Sequence, residues 1–515
     1  MRQLSGQDAS FLYMESQGAY LHLTALYVYD QSTVPGGIVR HKDILRYIES
    51  RLHTSPIFRQ KLVSLPLSVD YPYWVDDERF DLEFHVRHIA LPEPRDWRQL
   101  CILVARLHSR PLDMQRPPWE MYVVEGLDNI EGIPKGAFAL ISKYHHAAID
   151  GASGAELLAG LHSVSPEYVA EPEVKPWAPK SSPSMVELLA RAAVNNVKTP
   201  FQLTKAVAAT LPGLSRLSAK GEHDALETSD NVPRTRFNGP VSPHRAFEGI
   251  RFDLKRLAAI RKAVPGATVN DVVLTICGGA LRKYLMEKGE LPPESLTAMA
   301  PINTRPRDEA VVAGNKLAAM LVPLYTDIAD PLARLRSIKR ETSGAKETQN
   351  AVGARQMTDL MSHTPAVTLA LAGRLITGLG LAHRTFRLCN CTITNVPGPQ
   401  QPWYLNGAKL LLSTGAAPVI DGMGLIITAI SYNGDMVFSF TACRRMLPDP
   451  EFLRACASEC FDSLENAAKS RLDTTAKPKA RKTQATKKAA PKKKAKKSRA
   501  KASRATNGSS PTSRV

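Results

Sequence analysis

Positive charge is concentrated at one end of this chain, and this distribution limits which part of it can fold. Residues 474–515 contain 15 Lys or Arg and no Asp or Glu. The other 52 Lys or Arg are balanced by 49 Asp or Glu, so the formal charge of +18 falls to +3 over residues 1–473. A Lys/Ala/Pro-rich segment without aromatic residues or an apolar face cannot bury enough surface to fold. We therefore expect a near-neutral folded body followed by a disordered basic tail.

The body is large enough for more than one domain. The chain has 515 residues, which is too long for one ordinary core, and its 43% hydrophobic content excludes a wholly disordered protein. The first residues lack the apolar stretch of a secretory signal, and no window of about 18 apolar residues is free of charge. Seven cysteines, an odd number, fit reduced thiols. We expect a cytoplasmic protein that is not secreted and has no transmembrane helix.

Hydrophobic periodicity in the first part of the body predicts mixed α/β structure. Apolar residues alternate over residues 20–29, which indicates a half-buried strand. The apolar run at 137–144 predicts a second strand, and 154–161 has the spacing of a helix. These two elements enclose the segment at 145–153.

The second part of the body predicts further helices and a hairpin. Residues 252–264 and 269–286 have helical spacing, and Asn433-Gly434 between apolar runs predicts a hairpin turn. The predicted fold class is α/β (α+β). The predicted boundaries are an N-terminal domain at 1–162, a linker and helical connection at 163–239, a C-terminal domain at 240–473 and the tail at 474–515.

The predicted connection between the domains has two parts. Residues 163–184 are rich in Pro, Ser, Glu and Lys, as linkers are, whereas 185–217 has helical character. Two interpretations remain open for the helical part. It packs across the domain junction, or it lies on a membrane surface as an amphipathic element.

The segment with the clearest chemical signal is 144–151 (YHHAAIDG), between a predicted strand and a predicted helix. Histidine needs little tuning to act as a base near neutral pH. Asp150 can anchor the turn by pairing with an Arg, and Gly151 lets the backbone bend tightly. The alternative is a pair of hydrogen-bonded histidines beside a helix-capping Asp, with no part in catalysis.

These residues resemble the His-His-x-x-x-Asp-Gly signature of the CoA-dependent acyltransferase superfamily, which includes chloramphenicol acetyltransferase, carnitine acyltransferases and peptide-synthetase condensation domains. The rest of the chain resembles the bacterial wax ester synthase/diacylglycerol acyltransferase (WS/DGAT) family. The similar segments are 4–12 (LSGQDASFL), 80–88 (FDLEFHVRH), 107–113 (LHSRPLD), 116–120 (RPPWE), 268–272 (TVNDV), 314–315 (GN), 394–399 (TNVPGP) and 431–434 (SYNG).

The sequence departs from the family pattern at two positions. The family's usual Pro-Leu-Trp is Pro117-Pro118-Trp119 here, and its Ser before Asn-Val-Pro-Gly-Pro is Thr394. These changes could alter acceptor or acyl-chain preference without removing the catalytic base. The tail after residue 473 has no counterpart in the family pattern.

The resemblance implies two chloramphenicol-acetyltransferase-like domains with mixed sheets. It also implies acyl transfer from acyl-CoA, as a substrate, to diacylglycerol or a long-chain alcohol, without a covalent acyl-enzyme. No bound cofactor and no metal are expected. The family's general base corresponds to His146, while we expect a positioning role for His145 and a structural role in loop geometry for Asp150.

The resemblance also suggests residues outside the His-His segment. Asn270 and Thr394 are candidate donors to the oxyanion that forms during acyl transfer. We expect Gly151, Asp271 and Trp119 to be structural positions of the family's motifs.

The basic tail can attract two kinds of polyanion. It can hold the protein on an anionic membrane surface, at the inner membrane face or on lipid inclusions, or it can bind DNA without sequence preference. A solvated tail without a partner is the third possibility.

Two further functions compete with lipid acyl transfer. One is another CoA- or carrier-dependent condensation-type acyltransferase, although the sequence has no carrier-protein attachment motif. The other is a non-catalytic protein that coats lipid granules and is tethered through its tail.

Overall fold

A computed structural model describes most of the body. The residues described are 1–16, 18–149, 157–167, 177–197, 232–303, 317–349, 366–368, 370–371 and 388–476. Met1–Leu472 form one compact unit, and Asp473–Val515 are assigned to a second. Beyond residue 476 the predicted tail lies outside the described residues.

Strands and helices follow one another throughout the body. The strands are β1 (Arg2–Gln3), β2 (His22–Asp30), β3 (Gln60–Val63), β4 (Tyr73–Asp76), β5 (Val86–Ala90), β6 (Trp119–Glu125), β7 (Phe138–His145), β8 (Arg245–Asp253), β9 (Thr297–Asn303), β10 (Leu317–Pro323), β11 (Cys391–Val396), β12 (Tyr404–Leu405), β13 (Ala408–Ala416), β14 (Leu425–Tyr432) and β15 (Asp435–Cys443). The helices are α1 (Gly6–Tyr13), α2 (His41–Arg51), α3 (Leu82–His85), α4 (Trp97–His108), α5 (157–161), α6 (185–197), α7 (Leu254–Ile260), α8 (Val269–Glu287), α9 (Pro331–Gln349) and α10 (Pro450–Ala476).

Two six-stranded sheets dominate the fold. The first has the order β12-β13-β2-β7-β6-β5 and the second the order β10-β9-β11-β14-β15-β8, while β1, β4 and β3 form a small third sheet. Each large sheet combines parallel and antiparallel pairs, because β5 runs parallel to β6 and β11 runs parallel to β9 and β14. The predicted α/β class with mixed sheets is confirmed.

The alternating pattern at 20–29 produces the predicted strand, β2. Tyr27 and Tyr29 pack into one apolar cluster, and Leu26 and Val28 pack into another. Because successive side chains of a strand point to opposite faces, β2 is covered on both sides. Helix α4 contributes Leu100 and other apolar residues to the second cluster.

The predicted hairpin is also present. Strands β14 and β15 pair antiparallel from Leu425↔Ala442 to Tyr432↔Asp435. The two turn residues, Asn433 and Gly434, have φ values of 45° and 91°. This left-handed backbone is easily reached by Asn and Gly, and it matches the twist of the strands that the turn joins.

One predicted helix begins later than its sequence pattern indicates. Residues 252–264 were expected to be helical, but Phe252 and Asp253 end strand β8, which pairs with β15. The helix α7 begins at Leu254, because the Asp253 side chain accepts a hydrogen bond from the Arg256 N–H at 2.9 Å and caps the first turn.

Helix α6 packs on the small sheet through one face. Leu188 and Ala192 are buried against Leu65 and Tyr73. The opposite face is open, and Val186 is 76% exposed. The rest of the helical segment predicted at 185–217 lies outside the described residues.

The two large sheets meet at a glycine. In β13, Gly415 is paired with Ala25 of β2, and a Cβ atom on Gly415 would lie 2.5 Å from the Thr24 carbonyl oxygen. The Gly415 carbonyl accepts hydrogen bonds from the hydroxyls of Thr428 at 3.2 Å and Ser439 at 2.6 Å, both in the second sheet. A side chain on Gly415 would collide with β2 of its own sheet, so glycine is required at this position. The predicted domain boundaries stay predictions, and β13, from the later part of the chain, belongs to the first sheet.

None of the helices in the described part of the chain combines the length and the apolar character needed to cross a membrane.

Candidate active site

Strand β7 carries the two histidines of the signature to the end of the first sheet. All eight residues of β7 are buried, and His145 is its last residue, paired with His22 of β2. The next residue, His146, leaves the ladder but donates its backbone N–H to the Leu21 carbonyl at 2.9 Å. The turn is therefore tied to the strand beside it.

The side chain of His146 is half-buried and held by an aromatic ring. The imidazole stacks on Phe11, with ring centroids 4.1 Å apart and an interplanar angle of 18°. Phe11 lies in α1, and the Ser5 hydroxyl caps this helix by accepting the Asp8 N–H at 3.0 Å. The motif at 4–12 therefore forms the helix that places an aromatic ring against His146.

His145 is buried within the same turn. Its side chain is only 1% exposed. Its Nδ1 accepts the backbone N–H of Ala147 at 3.1 Å, so the proton of the neutral ring is on Nε2. That nitrogen lies 3.2 Å from Oε1 of Glu15. These contacts hold the backbone on either side of His146. The remaining signature residues, Asp150 and Gly151, lie outside the described residues.

A row of buried polar side chains lies beside the two histidines. His22 donates from Nε2 to the His108 carbonyl at 2.6 Å, and Thr24 hydrogen-bonds Nδ1 of His108 at 2.9 Å. Burial lowers the pKa of His22 well below its ordinary value and that of His108 to about 3. Burial also lowers the pKa of Lys143 to about 8. His22 and His108 are therefore neutral structural groups near pH 7.

Asp271 closes the N-terminus of α8. The Thr268 hydroxyl accepts the Asp271 N–H at 3.2 Å, and the Asp271 carboxylate accepts the Thr268 N–H at 2.7 Å. The second carboxylate oxygen accepts the buried Thr342 hydroxyl at 2.8 Å. These bonds make a capping box with an additional tether to α9.

The two predicted oxyanion donors lie on neighbouring elements of the second sheet and its helix. Asn270 is in the first turn of α8, and its Oδ1 accepts a hydrogen bond from Nδ2 of Asn395 at 3.3 Å. Thr394 precedes Asn395 in β11 and is paired with Thr428 of β14. The structure thus brings Asn270 to the strand that carries Thr394.

Thr428 also contacts Gly415, where the sheets meet. The pairing of Thr394 with Thr428 therefore connects β11 to strand β13 of the first sheet.

Trp119 is fully buried at the start of β6. Its indole N–H donates to the Phe58 carbonyl at 3.0 Å, and its ring stacks on His85 with centroids 4.4 Å apart. Its own carbonyl accepts Nδ1 of His85 at 2.7 Å. In this environment Trp119 is a packing residue that joins β6 to the loop before β3.

Three residues in these contacts were not selected from the sequence. Phe11 and Asn395 lie inside the matched segments 4–12 and 394–399, so the motifs could have indicated them. Glu15 lies just after the first of these segments, and no sequence signal marks it. Among the residues that the structure describes, no three His, Cys, Asp or Glu side chains are grouped to hold a metal ion.

The fold is shared with two proteins of known structure. The starter condensation domain of rhizomide synthetase superposes with a TM-score of 0.50 at 12% identity, covering 91% of this chain and 94% of that one. The wax ester synthase/diacylglycerol acyltransferase from Marinobacter aquaeolei VT8 has a TM-score of 0.65 at 28% identity, covering 91% of this chain and all of that one. These superpositions define a condensation-domain-like fold.

The sequence comparisons are more specific than the fold. The O-acyltransferase WSD of Acinetobacter baylyi is 34% identical over 460 residues, which cover 87% of this chain and 93% of that protein. The wax ester synthase/diacylglycerol acyltransferase catalytic domain matches residues 4–273, and the WS/DGAT C-terminal domain matches residues 313–465. The chain belongs to the WS/DGAT family and is an O-acyltransferase.

Proposed function

We propose that this enzyme transfers a long-chain acyl group from acyl-CoA to diacylglycerol or a fatty alcohol, with His146 as the general base. The products are triacylglycerol or wax ester, and CoA. The observation that carries the proposal is the position of His146, at the end of the buried strand β7 and stacked on Phe11, in a chain that matches the WS/DGAT catalytic domain. A stacked, half-buried imidazole keeps one orientation and remains accessible to a substrate.

The proposed reaction proceeds in two steps. The imidazole of His146 accepts the proton of the acceptor hydroxyl while that oxygen attacks the thioester carbonyl. The tetrahedral intermediate then collapses, the carbon–sulfur bond breaks, and the imidazolium returns the proton to the CoA thiolate. The histidine ends the cycle neutral. General-base assistance of this kind contributes roughly 10²–10⁴ in rate.

Asn270 and Thr394 are the proposed donors to the oxyanion. The Asn270 oxygen is occupied by Asn395 at 3.3 Å, so its amide nitrogen carries the two N–H groups that remain for a negatively charged oxygen. A Thr hydroxyl can rotate to donate as well. Donors of this kind typically contribute 10²–10³ in rate when they are fixed before the reaction.

We expect the purified enzyme to release CoA from palmitoyl-CoA when hexadecanol or dioleoylglycerol is present. A thiol reagent measures the CoA, and mass spectrometry identifies hexadecyl palmitate or triacylglycerol. The ratio of the two rates gives the acceptor preference. Absence of CoA release with either acceptor would contradict the proposal. Turnover that requires a carrier-bound acyl donor would instead favour the condensation-type alternative.

We propose that residues 474–515 hold the enzyme on anionic lipid, at the cytoplasmic face of a membrane or on lipid inclusions. The support is the charge of this segment, 15 Lys or Arg without an acidic residue. Each basic residue near an anionic surface contributes about 1 kcal/mol. Because the substrates and products are lipids, such a surface is where the enzyme needs to be.

Truncation after Asp473 should weaken binding to phosphatidylserine-containing liposomes at low salt by at least tenfold, while turnover on dispersed substrate stays within about twofold. Co-sedimentation measures the binding. A full-length variant with the 15 basic residues changed to Gln is the matched control, because it keeps the length of the tail. Unchanged liposome binding would refute the anchor. Tighter binding of the tail to a DNA duplex than to liposomes would favour the DNA alternative.

A further inference from the structure

Glu15 contacts both segments that fix the backbone of His146. Its Oε1 accepts the backbone N–H of Leu21 at 2.6 Å. The same oxygen lies 3.2 Å from Nε2 of His145. Leu21 in turn accepts the His146 N–H through its carbonyl at 2.9 Å. One carboxylate oxygen therefore connects the strand beside the base to the residue before it.

These contacts link the segments before, at and after His146, and the approach of Glu15 Oε1 to His145 Nε2 is an ion-pair distance rather than a hydrogen bond. Glu15 binds the Leu21 N–H, and the Leu21 carbonyl binds the His146 N–H. His146 follows His145 in the chain, and the imidazole of His145 lies against Glu15. The ring of His145 also accepts the N–H of Ala147 at 3.1 Å, so the backbone after His146 is tied to the same unit. We infer that Glu15 is a positioning residue for His146, an inference that rests on the proposed role of His146 as base.

The segment that carries Glu15 is itself fixed at both ends. It follows α1, whose Phe11 stacks on His146. After it comes Gly18, with φ of 99°, and its carbonyl accepts a hydrogen bond from the buried guanidinium of Arg245. A Cβ atom on Gly18 would lie 3.0 Å from the backbone nitrogen of Pro243. Glu15 is thus held between α1 and the residues around the start of β8.

Other charged and titratable groups lie near Glu15 and His145. His22 faces His145 across the β2–β7 ladder, and burial first, then the charges of His108 and Lys143, lower the pKa of His22. Burial lowers the pKa of Lys143, whereas the charges of Glu120 and of Glu15 itself raise it. Within the described part of the chain, Glu15 is the carboxylate that lies within ion-pair distance of His145.

The test compares two substitutions of Glu15 in the full-length enzyme. Glu15→Ala removes the acceptor, so we expect kcat to fall by about 100-fold, as a displacement of about 1 Å does. The KM for palmitoyl-CoA should stay within about threefold. Glu15→Gln keeps an oxygen for the Leu21 N–H, and its kcat should stay within about fivefold of the wild type. Because Gln keeps the acceptor but lacks the charge, recovery of kcat by this variant assigns the role of Glu15 to its hydrogen bond.

Glu93→Gln is the control, because Glu93 is 72% exposed and pairs with Arg95 at the surface. It should leave both kcat and KM unchanged. If Glu15→Ala keeps its kcat within threefold, or if Glu15→Gln loses as much activity as Glu15→Ala, the inference is wrong. Thermal unfolding identifies a Glu15→Ala variant that does not fold, and the kcat of Glu15→Gln then decides. An inactive wild-type enzyme would instead refute the proposed function.

Discussion

His146→Ala should lower kcat by about 10²–10⁴ with either hexadecanol or dioleoylglycerol as acceptor. The variant loses the group that accepts the hydroxyl proton, whereas substrate binding keeps its other contacts, so KM should change by less than about threefold. Because the imidazole is half-buried and stacks on Phe11, the melting temperature should fall by only a few degrees. Stopped or continuous CoA-release assays at saturating acyl-CoA measure the effect.

The matched control is His53→Ala, which removes an exposed histidine whose Nδ1 bonds the Ser50 carbonyl at 2.8 Å. Its kcat should equal that of the wild type. Full activity in His146→Ala would show that another group is the base, and the acyltransferase function would stand. An increase in acceptor KM at constant kcat would assign His146 to binding rather than to proton transfer.

Trp119→Ala should lower the free energy of unfolding by about 3–5 kcal/mol. The indole is fully buried, stacks on His85, packs edge-to-face with Phe58, and donates its N–H to the Phe58 carbonyl at 3.0 Å. The substitution leaves a cavity and an unpaired buried carbonyl. Trp119→Phe keeps most of the packing but not the N–H donor, so this variant should lose about 1–3 kcal/mol of the free energy of unfolding. Urea unfolding followed by far-UV circular dichroism measures both.

Trp177→Ala is the comparison for Trp119, because Trp177 is partly exposed and contacts the Arg59 guanidinium, at 5.0 Å, and the Phe80 ring. This substitution should lower the free energy of unfolding by less than about 1 kcal/mol. If Trp119→Ala unfolds like the wild type and yet loses acyltransferase activity, the tryptophan contacts substrate instead of holding the fold. Equal losses in Trp119→Phe and Trp119→Ala would mean that the N–H bond, and not the packing, provides the stability.

Local features of the fold were predictable because their causes are local. The turn at Asn433-Gly434 needs two residues with positive φ, and the start of α8 needs a capping residue, Thr268, three positions before an acidic one. The place of β13 was not predictable in the same way. β13 pairs with β2, which lies nearly 400 residues earlier in the sequence, and no local pattern in 408–416 identifies that partner.

The candidate site was predictable to the extent that its residues lie in motifs. His145 and His146 are contiguous in the sequence, and the signature identified them. Glu15 acts through one oxygen that reaches Leu21 and His145, which is 130 residues away in the chain. The residues next to Glu15 in the sequence form no pattern that indicates these contacts. Phe11 and Asn395 lie within matched motifs, but only the folded chain shows that they contact His146 and Asn270.

The membership of β13 in the first sheet has a consequence for how the enzyme is made. When the ribosome has released β7, the β2 edge next to it still lacks its partner, because β13 begins at Ala408. At about 5–20 residues per second, that edge stays unpaired for roughly 15–50 s of synthesis. An open strand edge can pair with other chains during this time. The nascent enzyme therefore passes through a long period in which protection of β2 by chaperones matters, and this period ends only when the last fifth of the chain is translated.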